Sequence, residues 1–367
     1  MRVAPETAAL CLHSYRRCRA VMDIHVGIVG CGKIGQLHAA GYQSAGAVVD
    51  MVADANPQAA QAMAAHLGCR WTADYRRLLD DRRITAVSVC VPTDLHFPVL
   101  SAALKAGKHT LCEKPLTTQL SDARTLKDLA AQTGVVVQVG YMKRFDPAMQ
   151  AAHEKLSEIG QIQSGQFRSY MPFPEARWNA AKQGWILDRR RSGGGALVHS
   201  GSHVLDIVQW FCGPVMEVAG NICCRPDLPD IDYLAQAMLW TQLGAVLFLE
   251  IGWLPLTGIG HRQDGWDEVF AVTGDQGMLT ARTNWWNQVE TSRTTLELYK
   301  ESDQAKRLMT FGPPDHFNRE VQGFVETIKA GGQPLVGIEE GYRVQLVIDA
   351  IYRSARQDER VAVNTEA

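Results

Sequence analysis

The sequence predicts an α/β Rossmann-type fold, a doubly wound parallel sheet, followed by an α+β domain with a large, mostly antiparallel open sheet. Short apolar runs alternate with helical patterns in the first part of the chain, and a glycine-rich turn follows the first run. Longer strands, several of them alternating, replace this pattern after residue 160. Apolar runs without alternation are typical of parallel strands that are buried on both faces.

The first part of the chain predicts strands joined by helices. The apolar runs lie at 25–30, 48–54, 85–92, 109–113 and 135–142. Segments with the apolar spacing of a helix lie between them, at 34–44, 57–67, 95–106 and 120–132. Glycines mark the ends of these helices, at positions 46, 68, 107 and 134. Strands that alternate with helices predict right-handed crossovers and therefore a doubly wound parallel sheet.

The second part of the chain predicts strands at 161–171, 215–224, 232–242, 245–254 and 268–279. Short turns such as 243–244 and 274–277 indicate a largely antiparallel sheet. Helices are expected near 196–212, 317–330 and 339–356. We divide the chain into three parts. Residues 1–22 are an extension that we expect to be disordered, and residues 23–145 are a dinucleotide-binding domain. Residues 146–367 are a domain that binds substrate and forms the oligomer.

The composition is that of a globular chain without an electrostatic footprint for nucleic acid. The 367 residues include 37 basic and 39 acidic side chains, for a net charge of −2. Nucleic-acid and anionic-membrane partners select basic surfaces, so we expect neither. No apolar run approaches the roughly 18 residues that a membrane span needs. The 9 cysteines lack C-x-x-C spacing, so we expect reduced thiols in a cytoplasmic protein.

The first strand runs into a Gly-x-Gly-x-x-Gly turn that opens a helix, which is the pattern of a dinucleotide site. Gly30 permits the tight turn, Gly32 lets the backbone approach a pyrophosphate, and Gly35 allows close packing of the helix on the strand. The helix begins near Lys33 and Ile34, where free N–H groups and the positive end of the helix dipole attract phosphate.

Asp54 ends the second strand, where a carboxylate can accept hydrogen bonds from the adenosine ribose hydroxyls. The alternative interpretation is a turn residue before Asn56 and Pro57. Residues 55–58 contain no arginine or lysine that would pair with a 2′-phosphate. NAD is therefore favoured over NADP, although Lys33 offers one cation to a phosphate.

The fifth strand ends in Glu113, Lys114 and Pro115, at the carboxyl edge of the predicted sheet. Ligands bind at that edge in doubly wound folds. A lysine there can donate to a substrate hydroxyl or carbonyl oxygen, and its pKa falls readily on burial. The alternative is an exposed lysine in a strand-to-helix loop.

A second candidate segment begins with three glycines at 193–195 and continues as an apolar helix that carries His199, His203 and Asp206. The two histidines are four positions apart and share one face of a helix. Three roles compete for them: hydrogen-bonded core residues, a pair of metal ligands, or a general acid and base. Because the glutamate of the H-E-x-x-H pattern is missing and no third ligand is evident, we expect no metal.

Two tryptophans precede the glycine run, and an indole face suits the C–H face of a sugar ring. We expect Trp178 to bind substrate, whereas core packing explains Trp185 at least as well. Trp285 and Trp286 are further candidates without a positional argument.

Together these segments resemble the Gfo/Idh/MocA family, named after glucose–fructose oxidoreductase, inositol dehydrogenase and the rhizopine-catabolism protein. The resemblance covers nearly everything between residues 24 and 357. The Glu-Lys-Pro element followed by the Gly-Gly-Gly…His…Asp element makes it specific. The other matching positions include His38, Pro92, Thr93, His96, Tyr141 and Arg144.

The resemblance implies NAD(P)-dependent oxidation of a secondary alcohol on a sugar or cyclitol, or the reverse reduction. It implies that Lys114 holds the reacting oxygen, that Glu113 contacts the nicotinamide ribose, and that His203 is the catalytic histidine. The Lys114–Pro115 bond is often cis in the family. The cofactor site is expected to include Pro92, Thr93 and His96, and the substrate site Tyr141 and Arg144. The second sheet is expected to form a homodimer or homotetramer.

One position departs from the family pattern. The family usually has an aspartate four residues before the catalytic histidine, and this chain has His199 there. A neutral imidazole can hydrogen-bond to the reacting hydroxyl, but it does not supply the negative field of a carboxylate. We keep His199 in the site and expect Lys114 to carry more of the proton transfer. The alternative functions are a NAD-dependent glycosidase of similar fold and a non-catalytic dinucleotide-binding sensor.

Overall fold

The computed structural model describes residues 23–260, 262–263, 265–283, 293–313 and 315–363. The extension predicted at 1–22 and the candidates Trp285 and Trp286 lie outside the described residues. Two sheets organise the described chain, the first from residues of the first part and the second from residues after 160. The domain boundary at 145/146 stays a prediction.

The first sheet is the predicted doubly wound parallel sheet. Its strands are β1 (His25–Val29), β2 (Val48–Ala53), β3 (Arg70–Thr72), β4 (Ala86–Val89), β5 (His109–Cys112) and β6 (Val137–Val139). They lie in the order β3-β2-β1-β4-β5-β6, and every neighbouring pair is parallel. The strand order reverses between β1 and β4, which opens a ligand crevice at their carboxyl ends.

The helices of this sheet are α1 (Lys33–Ser44), α2 (Pro57–Leu67), α3 (Tyr75–Leu79), α4 (His96–Lys105) and α5 (Leu120–Thr133). Asn56 caps α2 with its side chain, and Gly68 and Gly134 end α2 and α5 with positive φ, as the helix-end pattern predicts. The sequence did not predict β3 or α3. β3 has three residues and leaves Arg70 and Trp71 exposed, so it lacks an apolar run.

The second sheet is mostly antiparallel, as predicted. Its strands are β7 (Ile162–Pro172), β8 (Val215–Arg225), β9 (Leu228–Thr241), β10 (Val246–Leu254), β11 (Asp267–Gly274), β12 (Gly277–Thr283), β13 (Thr294–Lys300), β14 (Ala305–Phe311) and β15 (Val361–Ala362). The order is β14-β13-β12-β11-β7-β10-β9-β8-β15. Only the pair β10 and β7 is parallel among the strand pairs of this sheet that the described residues form.

Two details of this sheet differ from the prediction. The run at 268–279 is two strands, β11 and β12, because the chain reverses at Asp275 and Gln276. The strands β13 and β14 were not predicted. Thr294, Leu296 and Leu298 alternate inward along β13, which is a period-2 signal that could have revealed it.

Six helices of the described chain complete the second part. They are α6 (Pro147–Glu154), α7 (Glu175–Ala181), α8 (Arg189–Ser192), α9 (Ser202–Cys212), α10 (His316–Ala330) and α11 (Ile338–Gln357). The turn before α9, Leu197–Gly201, is π-helical, a feature that is frequent at functional sites. No described helix combines the length and apolar character that a membrane crossing requires.

The late helix α10 returns to the first sheet. It packs so closely on α1 that a Cβ built on Gly41 would lie 2.8 Å from the Cβ of Val321. Glycine at position 41 is what allows the two helices to approach. Residues of α10 therefore reach the core beneath the glycine turn, although more than 270 residues separate them in sequence, counting from Ser44 to His316.

Candidate active site

The glycine turn has the geometry that its pattern predicts. Gly30 has a φ of +102°, and a Cβ there would lie 2.3 Å from the carbonyl oxygen of Cys90. A Cβ on Gly35 would lie 2.0 Å from the oxygen of Gly30. A Cβ on Gly32 would meet no atom of the described residues within 4 Å. Two glycines are therefore required by the packing of the chain itself, whereas a Cβ on the third would meet none of the described chain.

The start of α1 is prepared for an anion. The helix begins at Lys33, followed by Ile34, and Gly32 at the N-cap supplies no side-chain acceptor. The first N–H groups of an α-helix have no carbonyl of a preceding turn to bond to, and they lie at the positive end of the helix dipole. Phosphate groups bind at such helix ends.

Asp54 lies beside this turn and has a structural role as well. Its Oδ2 accepts a hydrogen bond from the N–H of Cys31 at 2.8 Å, and its Oδ1 accepts one from the N–H of Asn56 at 2.8 Å. Asp54 therefore acts as a turn residue before Asn56, as the alternative interpretation expects. Each carboxylate oxygen keeps a second acceptor site for a hydroxyl, so ribose binding stays a prediction that this geometry permits.

The predicted cofactor residues after β4 divide into two groups. Pro92 and Thr93 begin a short turn, and the buried Thr93 Oγ1 has no hydrogen-bond partner among the described residues. His96 is different. Its Nδ1 lies 2.8 Å from the carbonyl oxygen of Pro115, and its Nε2 lies 2.9 Å from that of Val91. Both ring nitrogens face protein carbonyls of the two loops that His96 joins, and its contact with the cofactor stays a prediction.

Lys114 connects the two halves of the molecule. It follows β5 at the carboxyl edge of the first sheet, and its peptide bond to Pro115 is cis. Its Nζ donates a hydrogen bond of 3.0 Å to the carbonyl oxygen of His199, from the second half. Burial lowers the pKa of Lys114, the adjacent Glu113 carboxylate opposes that change, and the Lys143 ammonium adds to it. Two of its three N–H groups remain for a substrate oxygen.

The two predicted histidines lie beside this lysine. His199 Nε2 and His203 Nδ1 are buried and have no hydrogen-bond partner in the described part of the chain. Burial, with the Lys114 charge in second place, lowers the pKa of His199 to about 3. Burial also lowers the pKa of His203 well below its ordinary value, and again Lys114 adds to the effect. Both imidazoles are therefore neutral at pH 7 and can accept a proton or a hydrogen bond.

The start of the histidine segment is held by a residue that the sequence did not single out. Asp232, on β9, accepts hydrogen bonds from the N–H groups of Gly195 at 2.8 Å and Leu197 at 2.7 Å. The hydroxyl of Tyr352 donates to the same carboxylate at 2.5 Å. A Cβ on Gly195 would lie 1.9 Å from the backbone oxygen of Asp232, which explains the glycine. Asp232 carries no sequence signal because its partners are remote along the chain.

Two tryptophans lie next to His199, and the sequence did not single out one of them, Trp253. The ring of His199 lies 5.6 Å from that of Trp185 and 5.8 Å from that of Trp253. Trp178 is instead buried and packs on Phe173, with ring centroids 4.6 Å apart. Trp178 is the buried residue of α7, and its contact with substrate stays a prediction. Trp185, which we expected to pack as readily in the core, lies next to the candidate site.

Arg144 also has a structural role. Its Nε and Nη2 donate to both oxygens of Asp206, at 2.7–3.1 Å, and its Nη1 donates to the carbonyl oxygen of Leu335 at 3.1 Å. Both side chains of this ion pair are buried. The binding of substrate by Arg144 stays a prediction. Tyr141 remains at the site, since its ring meets that of His203 edge to face at 5.9 Å.

Glu113 lies in a buried group of acids and imidazole beneath Lys114. Its Oε1 lies 3.2 Å from His38 Nε2, and its Oε2 accepts the N–H of Lys114 at 3.2 Å. Burial raises the pKa of Glu113, but the contacts with His38 and Lys114 outweigh it, and the pKa is below its ordinary value. The donor atoms of His38, Glu113 and Glu320 lie within 4.8 Å of one another. These atom types can ligate a divalent ion, so the absence of a metal stays a prediction.

The geometry thus joins an anion-binding glycine turn, a cationic oxygen-binding side chain and neutral imidazoles along one sheet edge. That combination is typical of enzymes that transfer hydride with a nicotinamide dinucleotide.

Comparison with known proteins agrees with this class of enzyme. Residues 24–141 match the "Oxidoreductase family, NAD-binding Rossmann fold", and residues 152–363 match the "Oxidoreductase family, C-terminal alpha/beta domain". The chain belongs to the Gfo/Idh/MocA family and is a nicotinamide-dinucleotide oxidoreductase.

Similar proteins are named for the chemistry of sugars and inositols. Levoglucosan dehydrogenase of Pseudarthrobacter phenanthrenivorans is 26% identical, over 94% of this chain and 99% of that relative. Inositol 2-dehydrogenase of Rhizobium meliloti is 24% identical, over 93% of this chain and 100% of that relative. A solved structure of levoglucosan dehydrogenase in complex with NADH superposes with a TM-score of 0.80, at 25% identity over 93% of this chain and 99% of that one.

Proposed function

We propose that the protein oxidises a secondary alcohol of a sugar or cyclitol with NAD, or catalyses the reverse reduction. The observation that carries the proposal is the contact between Lys114 Nζ and the His199 carbonyl, because it places an ammonium group from the first sheet against the imidazoles of the second half. NAD, when bound, supplies the hydride acceptor. The sugars and inositol in the names of the relatives support the substrate class.

The side chains of this chain supply orientation and proton transfer. Two N–H groups of Lys114 bind the reacting oxygen and stabilise the negative charge that develops on it. A neutral His203 accepts the hydroxyl proton, and His199 accepts a hydrogen bond from the substrate. Burial in this site excludes water, which strengthens the attraction between the ammonium group and the oxygen.

NAD is favoured over NADP at the adenosine end. Asp54 would face the 2′-position of the ribose, where its negative charge would repel a 2′-phosphate. No basic residue occurs at 55–58 to offset that repulsion. The ratio of kcat/KM for the two cofactors measures this preference, and Asp54→Ala should reduce it.

Assembly and location are part of the proposal. The large side chains of Met238 and Phe248 are cross-strand neighbours on the second sheet and are 37% and 49% exposed. An apolar sheet face of this kind supports a homodimer or homotetramer, and Phe248→Lys should lower the mass measured by light scattering.

The cysteines of the described residues are free thiols, which supports a cytoplasmic location.

A substrate panel tests the function. The purified protein is mixed with NAD and inositols, sugars or nitrophenyl glycosides, and NADH and nitrophenol are followed by absorbance. We expect NADH from one or more polyols. Nitrophenol without net NADH would indicate a glycosidase, and NAD binding without turnover would indicate a sensor. Lys114→Ala should lower turnover about 10²- to 10⁴-fold, whereas the matched control Lys105→Ala, an exposed lysine of α4, should not.

A further inference from the structure

Glu320 is a buried acid that the proposed reaction does not use. It lies on α10 with none of its surface exposed, and neither carboxyl oxygen has a hydrogen-bond partner among the described residues. Its backbone is fixed, since Gln138 Nε2 donates to its carbonyl oxygen at 3.0 Å. An ionised carboxylate without a donor is expensive to bury, so this position needs either a proton or a cation.

Glu113, whose carboxylate oxygen lies within 4.8 Å of that of Glu320, is better placed to be ionised. Glu113 has the imidazole of His38 at 3.2 Å and the N–H of Lys114 at 3.2 Å, and its pKa is below its ordinary value. Burial raises the pKa of Glu320 well above its ordinary value, and the negative charge of Glu113 raises it further. When two carboxyl groups share a buried site, the one with more donors carries the charge.

A chain of hydrogen bonds orients the imidazole of His38 so that it can donate to Glu113. Tyr42 Oη lies 2.8 Å from Ser88 Oγ, and Ser88 Oγ lies 3.0 Å from His38 Nδ1. If the tyrosine donates to the serine and the serine to Nδ1, the proton of His38 sits on Nε2 and points at Glu113. This tautomer satisfies every group of the chain. In this arrangement Glu320 is the one described member of the group without a hydrogen-bond donor. A neutral carboxylic acid carries no charge, so it can be buried without such a donor.

We propose that Glu320 is a neutral carboxylic acid in the working enzyme and acts as a positioning residue that leaves Glu113 as the single negative charge beside the nicotinamide ribose. Its protonation follows from the buried contacts alone, whereas its effect on the cofactor rests on the proposed function of Glu113. As pH rises and Glu320 loses its proton, two carboxylates whose donor atoms lie within 4.8 Å of each other repel. The site then weakens for NAD.

Other titratable groups face the same cluster and must be separated from Glu320. They come from α1, from the end of β4 and from the end of β5, and are His38, Tyr42, Cys90, Cys112, Glu113 and Lys114. Glu320→Gln removes only one ionisation from this set and keeps the shape of the side chain. Glu326→Gln is the matched control, because Glu326 is an exposed carboxylate on the same helix.

Infrared spectroscopy reads the protonation state without any cofactor. In D₂O, the wild-type protein should show the carbonyl stretch of a buried neutral carboxylic acid at neutral pH. Glu320→Gln should lose that band and Glu326→Gln should keep it. Labelling of glutamate with ¹³C shifts the band in the wild type, which identifies it even if the variant does not fold. A wild type without the band, or with a divalent ion bound at one per chain that Glu320→Gln removes, would overturn the proposal.

Binding of NAD across pH tests the positioning role. The wild-type Kd should rise on the alkaline side by up to about tenfold per pH unit, as expected when only the form with one more proton binds. Glu320→Gln should lose this alkaline limb while it binds NAD near neutral pH, and Glu326→Gln should keep it. An unchanged limb in Glu320→Gln would overturn the positioning role. Failure of NAD to bind the wild type at any pH would instead contradict the proposed function, and the infrared band would be unaffected.

Discussion

The glycine turn allows the effects of folding and of cofactor binding to be separated by substitutions three residues apart. A Cβ on Gly32 meets no atom of the described chain within 4 Å, and the backbone there has a φ of −71°, which suits any residue. A Cβ on Gly35 meets the backbone oxygen of Gly30 at 2.0 Å. We therefore expect Gly32→Ala to leave the fold intact and block the pyrophosphate, and Gly35→Ala to disturb the fold itself.

The magnitudes follow from these contacts. Gly32→Ala gains about 0.4–1 kcal/mol from the stiffer unfolded chain and loses a similar amount because alanine is a poor N-cap. Its free energy of unfolding should therefore change by less than about 0.5 kcal/mol. A methyl group that prevents one charge-assisted hydrogen bond to phosphate costs about 1.5–3 kcal/mol of binding, which is a roughly 10- to 100-fold rise in Kd for NAD. Gly35→Ala should cost about 1–3 kcal/mol of stability or more.

Two measurements on each variant are sufficient. Urea unfolding reports the free energy of unfolding without cofactor, and NADH fluorescence titration reports the Kd. The reasoning requires opposite patterns in the two variants, with stability retained and affinity lost in Gly32→Ala and stability lost first in Gly35→Ala. A Gly32→Ala variant that binds NADH as tightly as the wild type would show that the pyrophosphate does not cross this turn.

Three further substitutions test the site. Lys114→Ala should lower kcat about 10²- to 10⁴-fold with little change in the Kd for NADH, and steady-state turnover equal to the wild type would remove Lys114 from the reaction. His199→Asp should raise the pKa of Lys114 and His203, because a carboxylate stabilises their charged forms. The acid limb of kcat/KM for oxidation should move to higher pH by about two units. This estimate assumes charges roughly 5 Å apart and an effective dielectric constant near 20. An acid limb that stays in place or moves to lower pH would contradict it. Arg144→Met should lose about 3–5 kcal/mol of unfolding free energy because Asp206 stays buried. Asp206→Leu in the same chain should recover part of it in urea unfolding, and strict additivity of the two changes would refute the ion-pair argument.

Much of the first half was predictable because its signals are local. The apolar runs, the helix ends and the glycine turn depend on residues within a few positions of one another, and helix α2, predicted at 57–67, has those bounds in the structure. Lys114 was predictable for the same reason, since it directly follows a buried strand. Prediction was harder where a residue type has several uses. The sequence around a tryptophan or an arginine is similar whether the side chain packs in the core, forms an ion pair or binds substrate. Trp178 and Arg144 were assigned to the site by position alone.

The sequence by itself determined most strands and helices of the first sheet and the position of the glycine turn, since these follow from short-range periodicity and backbone freedom. Only the tertiary structure decided which remote residues meet: the ammonium of Lys114 with the carbonyl of His199, the carboxylate of Asp232 with the N–H of Gly195, and Glu320 with His38. The physical reason is that strand order and helix packing bring these groups together. A hydrogen bond or a charge pair leaves no periodic trace in the chain when its partners are tens or hundreds of residues apart.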